Sequence, residues 1–291
     1  MNHYPSNVKE KLNSIILSMA EHHWLFSKNP GHDFTRQHLG KLSFYDTMRL
    51  IISMGKGSTN DEIMDYFDLD PDLIPSQSAF CQRRRQISLS AFEYLFSEFS
   101  SSFPSTTDKF KDHCILACDG CHVVYATNSD IIEDYNKPRL IDYKGYNHMH
   151  LNGFVDVISK AFLDVVIQPG QQPDEREALH SMLDHFTPDD PQKYIITADR
   201  GYESYDLLFH CELKNLGYVF RVKSPSSPKS ILSYYASELP DDLEEFDVTI
   251  KRFFTDKATN IMKSQSDVYR YINPSKNTPH FYELLRKKHS H

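Results

Sequence analysis

The chain has 291 residues, enough for a substantial core, and its 40% hydrophobic and 25% charged content is that of an ordinary water-soluble fold. No run approaches the roughly 20 apolar residues that span a bilayer, and Met1–Lys11 lacks the apolar stretch of a secretion signal, so no membrane role and a cytoplasmic location are expected. A formal net charge of -8 excludes a surface that is basic throughout, so a nucleic-acid partner would need local clusters of Lys and Arg.

Up to about Phe103 the pattern is helical. Leu12, Ile15, Ile16 and Met19 recur at helical spacing, and Phe44–Met54 places Phe44, Met48, Ile51 and Ile52 together. Thr59 or Asn60 is positioned to cap a third helix through Phe67, which Asp70-Pro71-Asp72 breaks. Ser76 caps a fourth helix to Ile87, and a fifth is expected over Phe92–Phe99. The third and fourth helices have the proportions of a loose helix-turn-helix, whose second helix carries Arg83-Arg84-Arg85. Those arginines are candidates for phosphate contact with double-stranded DNA, although the acids from Asp61 to Asp72 weaken the attraction and a solvated helix face is the competing reading.

Beyond the polar stretch Ser100–Asp112 the texture changes. Ile115–Cys118 reads as a buried strand ending at Asp119-Gly120, followed by strands near Met149–Ile158 and Phe162–Ile167 around the turn Ser159-Lys160. A helix to about Phe186, a strand Tyr194–Ala198, a helix Ser204–Asn215 and a strand Tyr218–Val222 come next. Hairpins followed by strand-helix-strand imply an α/β fold, a mixed sheet with flanking helices. After Ser224–Pro228 a short helix near Ile231–Leu239 precedes two strand candidates, Phe246–Phe254 and Ser266–Ile272. The expected division is a helical domain over 1–105, an α/β core over 106–224 and a β-rich stretch over 225–291.

Asp119 and Asp199 share one local context: each follows a short, mostly apolar run and precedes a glycine within two positions. Strand ends in such sheets open a crevice, and two carboxylates held there repel unless a proton or a cation is shared between them. Mg²⁺, or Mn²⁺, suits oxygen ligands and keeps waters for phosphate chemistry. The bland alternative makes each Asp a turn or cap residue.

Several blocks resemble bacterial insertion-sequence transposases with an RNase H-like DDE catalytic core. They are Ser78–Arg85, Ala117–Gly120, His150–Gly153, Gln168–Gly170, Glu175–Leu179 and above all Ile196-Thr197-Ala198-Asp199-Arg200-Gly201-Tyr202. The resemblance implies that Asp119 and Asp199 are the first and second catalytic, metal-holding aspartates. It also implies divalent metal as cofactor, transposon-end and target DNA as partners, and self-association, with a homodimer as the candidate form, an ability that a truncated chain is liable to lose. The stretch after Pro225 resembles the insertion that many members carry before their last catalytic helix. That helix bears the third acid in a Tyr-x2-Arg-x3-Glu-x6-Lys pattern, which is not found: three residues instead of two separate Tyr282 from Arg286, and no Glu follows Arg286. The chain is therefore read as stopping before the third carboxylate, with strand transfer lost or impaired. A catalytically dead DNA-binding remnant and a metal-dependent nuclease with a local third acid are the alternatives. Glu175, Glu177 and Glu203 are the local candidates, all of which have ordinary roles in capping or solvation.

Other constellations compete. Cys114, Cys118 and Cys121 have the spacing of an iron–sulfur motif, but strand-forming residues fill the gap, and five cysteines in all fit a reducing compartment without disulfides. His148 and His150 fall on one side of a strand. Arg139, Lys144, Arg200, Arg221 and Lys223 are candidate phosphate contacts, with solvated surface positions as the plain alternative.

Overall fold

The computed structural model describes residues 4–35, 41–102, 109–138, 144–240, 245, 247–255, 259–260, 264–265 and 267–271. Arg139 and the Tyr282/Arg286 comparison lie outside them, as do parts of both late strand candidates. The chain divides into two compact units, Met1–Pro104 and Ser105–His291.

The first unit is helical: α1 (Tyr4–Glu21), α2 (Phe44–Ser53), α3 (Thr59–Tyr66), α4 (Gln77–Gln86) and α5 (Leu89–Ser101). Serines set the starts. Ser43 and Asp46 form a reciprocal capping box on α2, and Ser76 caps α4. The cap of α3 is Ser58, one residue before the expected Thr59, because the Ser58 hydroxyl accepts from the Asp61 amide. Asp68 and Leu69 adopt left-handed backbone just before Asp70-Pro71. Ile16, Met19, Phe44, Met48 and Ala91 pack into one cluster and Leu50, Ile63 and Phe80 into another, each fully buried side chain contributing about 1.5–3 kcal/mol for the larger residues.

The second unit is built on a sheet. Its elements are β1 (Cys114–Tyr125), β2 (Tyr135–Asn136), β3 (Tyr146–Asp156), β4 (Phe162–Pro169), α6 (Glu175–His185), β5 (Tyr194–Ala198), α7 (Tyr205–Leu213) and β6 (Gly217–Phe220). The strand order is β2-β3-β1-β5-β6, with β4 also paired to β3. β1, β3 and β4 are antiparallel, whereas β5 and β6 run parallel to β1. The β3–β4 turn is closed by Asp156, whose carboxylate accepts from the amides of Ile158 and Ser159, with Lys160 in left-handed backbone. Further along, a 3-10 helix spans Ile231–Glu238, and β7 (Phe253–Thr255) pairs in parallel with β8 (Tyr269–Tyr271).

Register assigns the faces, since paired residues share one side of a sheet and neighbours along a strand alternate. Leu116, Cys118 and Phe154 share a face with Ile196 and pack against Leu179, Met182, Leu207 and Cys211 of α6 and α7. Ala117, Asp119 and Cys121 occupy the opposite face. One expectation needs correction: β1 does not end at Asp119-Gly120. It continues to Tyr125 because His122–Tyr125 pair with Asn147–His150 of β3, so Asp119 lies within the strand.

Candidate active site

Cys118 pairs with Ala198 at the last matched position of the parallel β1–β5 boundary. Asp119 and Asp199 are the next residue on each strand, at the point where β5 leaves the sheet and β1 runs on. Adjacent strands lie about 4.8 Å apart, so the two backbones are neighbours here. Both aspartates are exposed. Each has one oxygen fixed locally: the Gly120 amide donates to Asp119 Oδ1 at 2.9 Å, and the Gly201 amide donates to Asp199 Oδ1 at 2.7 Å. Asp199 does not cap α7; the Ser204 hydroxyl does, accepting from the Asp206 amide.

The Asp199-Arg200-Gly201-Tyr202 turn is held from below. Tyr202 is buried in the core, its hydroxyl accepting from the Cys118 thiol at 3.5 Å, and its amide closes the turn on the Asp199 carbonyl. Burial pushes the Cys118 thiol up to about 12 and the Tyr202 phenol up as well, so both stay neutral and act as structure. Arg176 Nε donates to the Gly201 carbonyl at 3.1 Å, fastening the first turn of α6 to this turn.

That first turn brings a third carboxylate close. Asp174 caps α6, accepting from the amides of Arg176 and Glu177, which leaves Glu175 free of the capping role expected of it. A β-carbon placed on Gly120 would stand 2.9 Å from Glu175 Oε1, and one placed on Gly201 would stand 3.2 Å from Glu175 Oε2 and 2.9 Å from Asp199 Oδ1. The two glycines thus leave the space that the Glu175 side chain enters. Glu175 Oε1 is also 3.4 Å from His150 Nε2, and burial, opposed by Glu175, lowers the affinity of His150 for a proton. The α6 start is braced by Gln168, which bonds both the amide and the carbonyl of Asp174 and accepts from Asn152. His122, His150, Glu175, Arg176, His180 and Gly201 are among the residues around a polar cleft of about 510 Å³.

Glu203 is turned elsewhere. It is buried and receives bonds from the Lys223 and Ile231 amides, the Ser230 hydroxyl and the Lys223 ammonium. The Lys223 ammonium also donates to the Arg200 carbonyl. Arg200, Arg221 and Lys144 are exposed, and the Arg221 amide bonds the Ala198 carbonyl beside the site. In the helical unit, Arg84 and Arg85 are exposed, while Arg83 is half-buried over the Phe34 ring and bonded to Gln86.

The cysteine spacing does not converge on one point. Cys114 and Cys118 are buried on the helix-covered face, and Cys121 is exposed on the other. His148 and His150 do share a face, both buried, with the His122 ring edge-on to each at 4.7 and 4.8 Å. Among the described residues no group of three or more His, Cys, Asp or Glu side chains is arranged to hold a metal ion. Arg176 carries no spacing signal in the sequence, being a lone Arg behind an acidic pair, and His122, legible there only as a helper of a zinc site with His113 and the cysteines, lies instead against His148 and His150.

Three antiparallel strands followed by two parallel ones, with helices on the crossovers, define an RNase H-like protein. A family model for the transposase DDE domain matches residues 110–290, and the chain belongs to that family, which gives it a transposase-type nuclease function. No curated protein matches the chain. No helix among the described residues is long and apolar enough to cross a membrane.

Proposed function

We propose that this chain carries the two-aspartate part of a metal-dependent phosphoryl-transfer site that acts on double-stranded DNA at transposon ends, with Asp119 and Asp199 as the metal-holding pair, and that cutting and joining are impaired for want of the third acid's Tyr-x2-Arg-x3-Glu-x6-Lys pattern. The observation that carries the reading is the Cys118–Ala198 register, which sets two exposed aspartates side by side at a step in the sheet. The donor set fits Mg²⁺ or Mn²⁺: both groups are carboxylates, and each has one oxygen oriented by a neighbouring amide. Two carboxylates suffice for such an ion, which takes its remaining ligands from water and phosphate. A bound divalent ion would polarise the phosphate and lower the proton affinity of an attacking water or 3′-hydroxyl.

The protein's own part is positioning. The Gly120 and Gly201 amides orient the carboxylates, and the buried Tyr202 fixes the turn that presents Asp199. Arg200 is exposed at the same turn and is assigned to phosphate placement, with Arg221 and Lys144 as outer contacts and Arg84 and Arg85 as backbone contacts of the helical unit. Manganese titration followed by electron paramagnetic resonance tests the pair without requiring turnover. The native protein is expected to bind Mn²⁺, and D119N and D199N each to lose at least about tenfold in affinity while remaining folded. Equal binding by all three proteins would overturn the assignment.

A further inference from the structure

The start of α6 is fastened on both sides of Glu175. Before it, Gln168 bonds the amide and the carbonyl of Asp174, the residue that caps the helix; after it, Arg176 Nε donates to the Gly201 carbonyl. The Glu175 carboxylate itself is held more loosely. Its contact with His150 Nε2, at 3.4 Å, is longer than the roughly 2.7–2.9 Å of a firm charge-assisted bond.

That carboxylate lies between the two glycines whose amides orient the aspartates. The β-carbon position of Gly201 is 3.2 Å from Glu175 Oε2 and 2.9 Å from Asp199 Oδ1, so both oxygens stand close to one point. The β-carbon position of Gly120, next to Asp119, is 2.9 Å from Glu175 Oε1. Carboxylates gathered in this way repel unless a proton or a cation is shared. A second group on the same side lacks a donor. Asn152 is fully buried, and its Oδ1, 3.0 Å from the same Gly120 position, faces the His150 ring without a hydrogen bond of good geometry. Water held by a cation would supply such a donor.

The two faces of the sheet exclude direct ligation by all three acids. Glu175 approaches from the helix-covered face and Asp119 occupies the other, and among the described residues no three such side chains converge on a metal ion. The faces meet at this corner, because β5 leaves the sheet after Ala198 and neither Gly120 nor Gly201 has a side chain. A hard divalent ion takes few protein ligands and keeps several waters, whose protons bond acceptors outside its own ligand set.

We propose that Glu175 is the third carboxylate of the site, a positioning residue that holds the ion of the Asp119–Asp199 pair through one of the ion's waters. The role rests on the aspartate pair proposed above. It concerns retention of the ion, and the impairment of cutting and joining stands as before.

The test extends the manganese titration to E175Q, which keeps the shape of the side chain and removes its charge. E175Q is expected to bind Mn²⁺ about tenfold more weakly than the native protein, the usual cost of losing a partner outside the ligand set. A purely structural role would instead lower the urea midpoint in metal-free buffer and leave the affinity alone. Native affinity in E175Q beside weak binding by D119N and D199N overturns the role of Glu175 and leaves the aspartate pair standing; native affinity in all three overturns both. Should E175Q fold poorly or not at all, the native protein decides, through carbodiimide coupling read by peptide mass spectrometry. Mn²⁺ is expected to slow the coupling of Glu175 together with that of Asp119 and Asp199. Protection of the aspartates alone overturns the role of Glu175, and protection of none overturns the pair as well.

Discussion

Cys118 and Ala198 stand side by side on parallel strands, and the residue after each is an aspartate. The pairing matters because the two strands part company there: β5 turns away through Arg200 and Gly201, while β1 continues for six more residues along β3. An aspartate within an unbroken strand thus neighbours one on a turn, and both are exposed. On the helix-covered side, Tyr202 and Cys118 fill the space below, so the floor of the step is rigid and uncharged.

Space at Gly120 is the first thing to probe. A methyl group there would stand 2.4 Å from His150 Cε1, 2.9 Å from Glu175 Oε1 and 3.0 Å from Asn152 Oδ1, and both His150 and Asn152 are buried. G120A is expected to cost about 1–3 kcal/mol, measured by urea denaturation, because well-packed neighbours must shift. A change under about 0.5 kcal/mol would mean that the Glu175 side chain moves aside freely.

Glu203 supplies a pH test. Burial alone would push its carboxyl up, but the bonds from Lys223, Ile231 and Ser230 outweigh that and hold it below the usual carboxylate range. A depressed carboxyl contributes stability that is present above its unfolded value, near about 4.3, and is lost as pH falls through the folded value. E203Q is expected to be about 3 kcal/mol less stable at neutral pH, since it leaves the Lys223 ammonium partly buried without its partner. Its stability should also change less than that of the native protein as the pH is taken below 4.

Thiol reactivity separates the cysteines. Burial pushes Cys118 and Cys211 up to about 12, whereas Cys121 is exposed. Alkylation at pH 8 followed by peptide mass spectrometry is expected to label Cys121 at least about tenfold faster than either. Equal rates would place Cys118 in contact with solvent and undo the account of the floor.

The arginine run splits by role. R84A/R85A is expected to weaken binding to a DNA duplex and to lower the slope of log affinity against log salt by about 2, roughly one unit for each lost phosphate contact. Arg83 sits 5.1 Å over the Phe34 ring, so R83A is expected to cost about 1 kcal/mol of stability with a smaller effect on the salt slope. Fluorescence anisotropy across salt concentrations, together with thermal denaturation, distinguishes the two.

Much of this architecture could be read from the residues. The strand Tyr194–Ala198 was delimited by its own apolar run and by the aspartate after it, and the α4 start by Ser76. The length of β1 was missed because Asp119-Gly120 looks like a strand end, although Val123-Val124-Tyr125 beyond it are strand-forming residues whose partners lie on β3. The paired aspartates were legible as matching contexts, yet their adjacency depends on register, which is a tertiary fact. Glu175 and Glu203 looked alike as acids near helix starts. Their fates diverge because Asp174 takes the cap of α6 and frees Glu175, while the Lys223–Ile231 segment folds back over Glu203.

Glu203 has a further effect on the chain around it. Its carboxylate grips Lys223 on one side of the serine-proline stretch and Ser230 and Ile231 on the other, so both ends of that loop are pinned to one buried point. Lengthening the loop between Ser224 and Pro228 then leaves the anchors where they are and adds only a closure entropy of about 0.6 kcal/mol per doubling of its length. The stretch is thus a natural graft point, where a reporter peptide can be spliced in without disturbing the neighbouring turn.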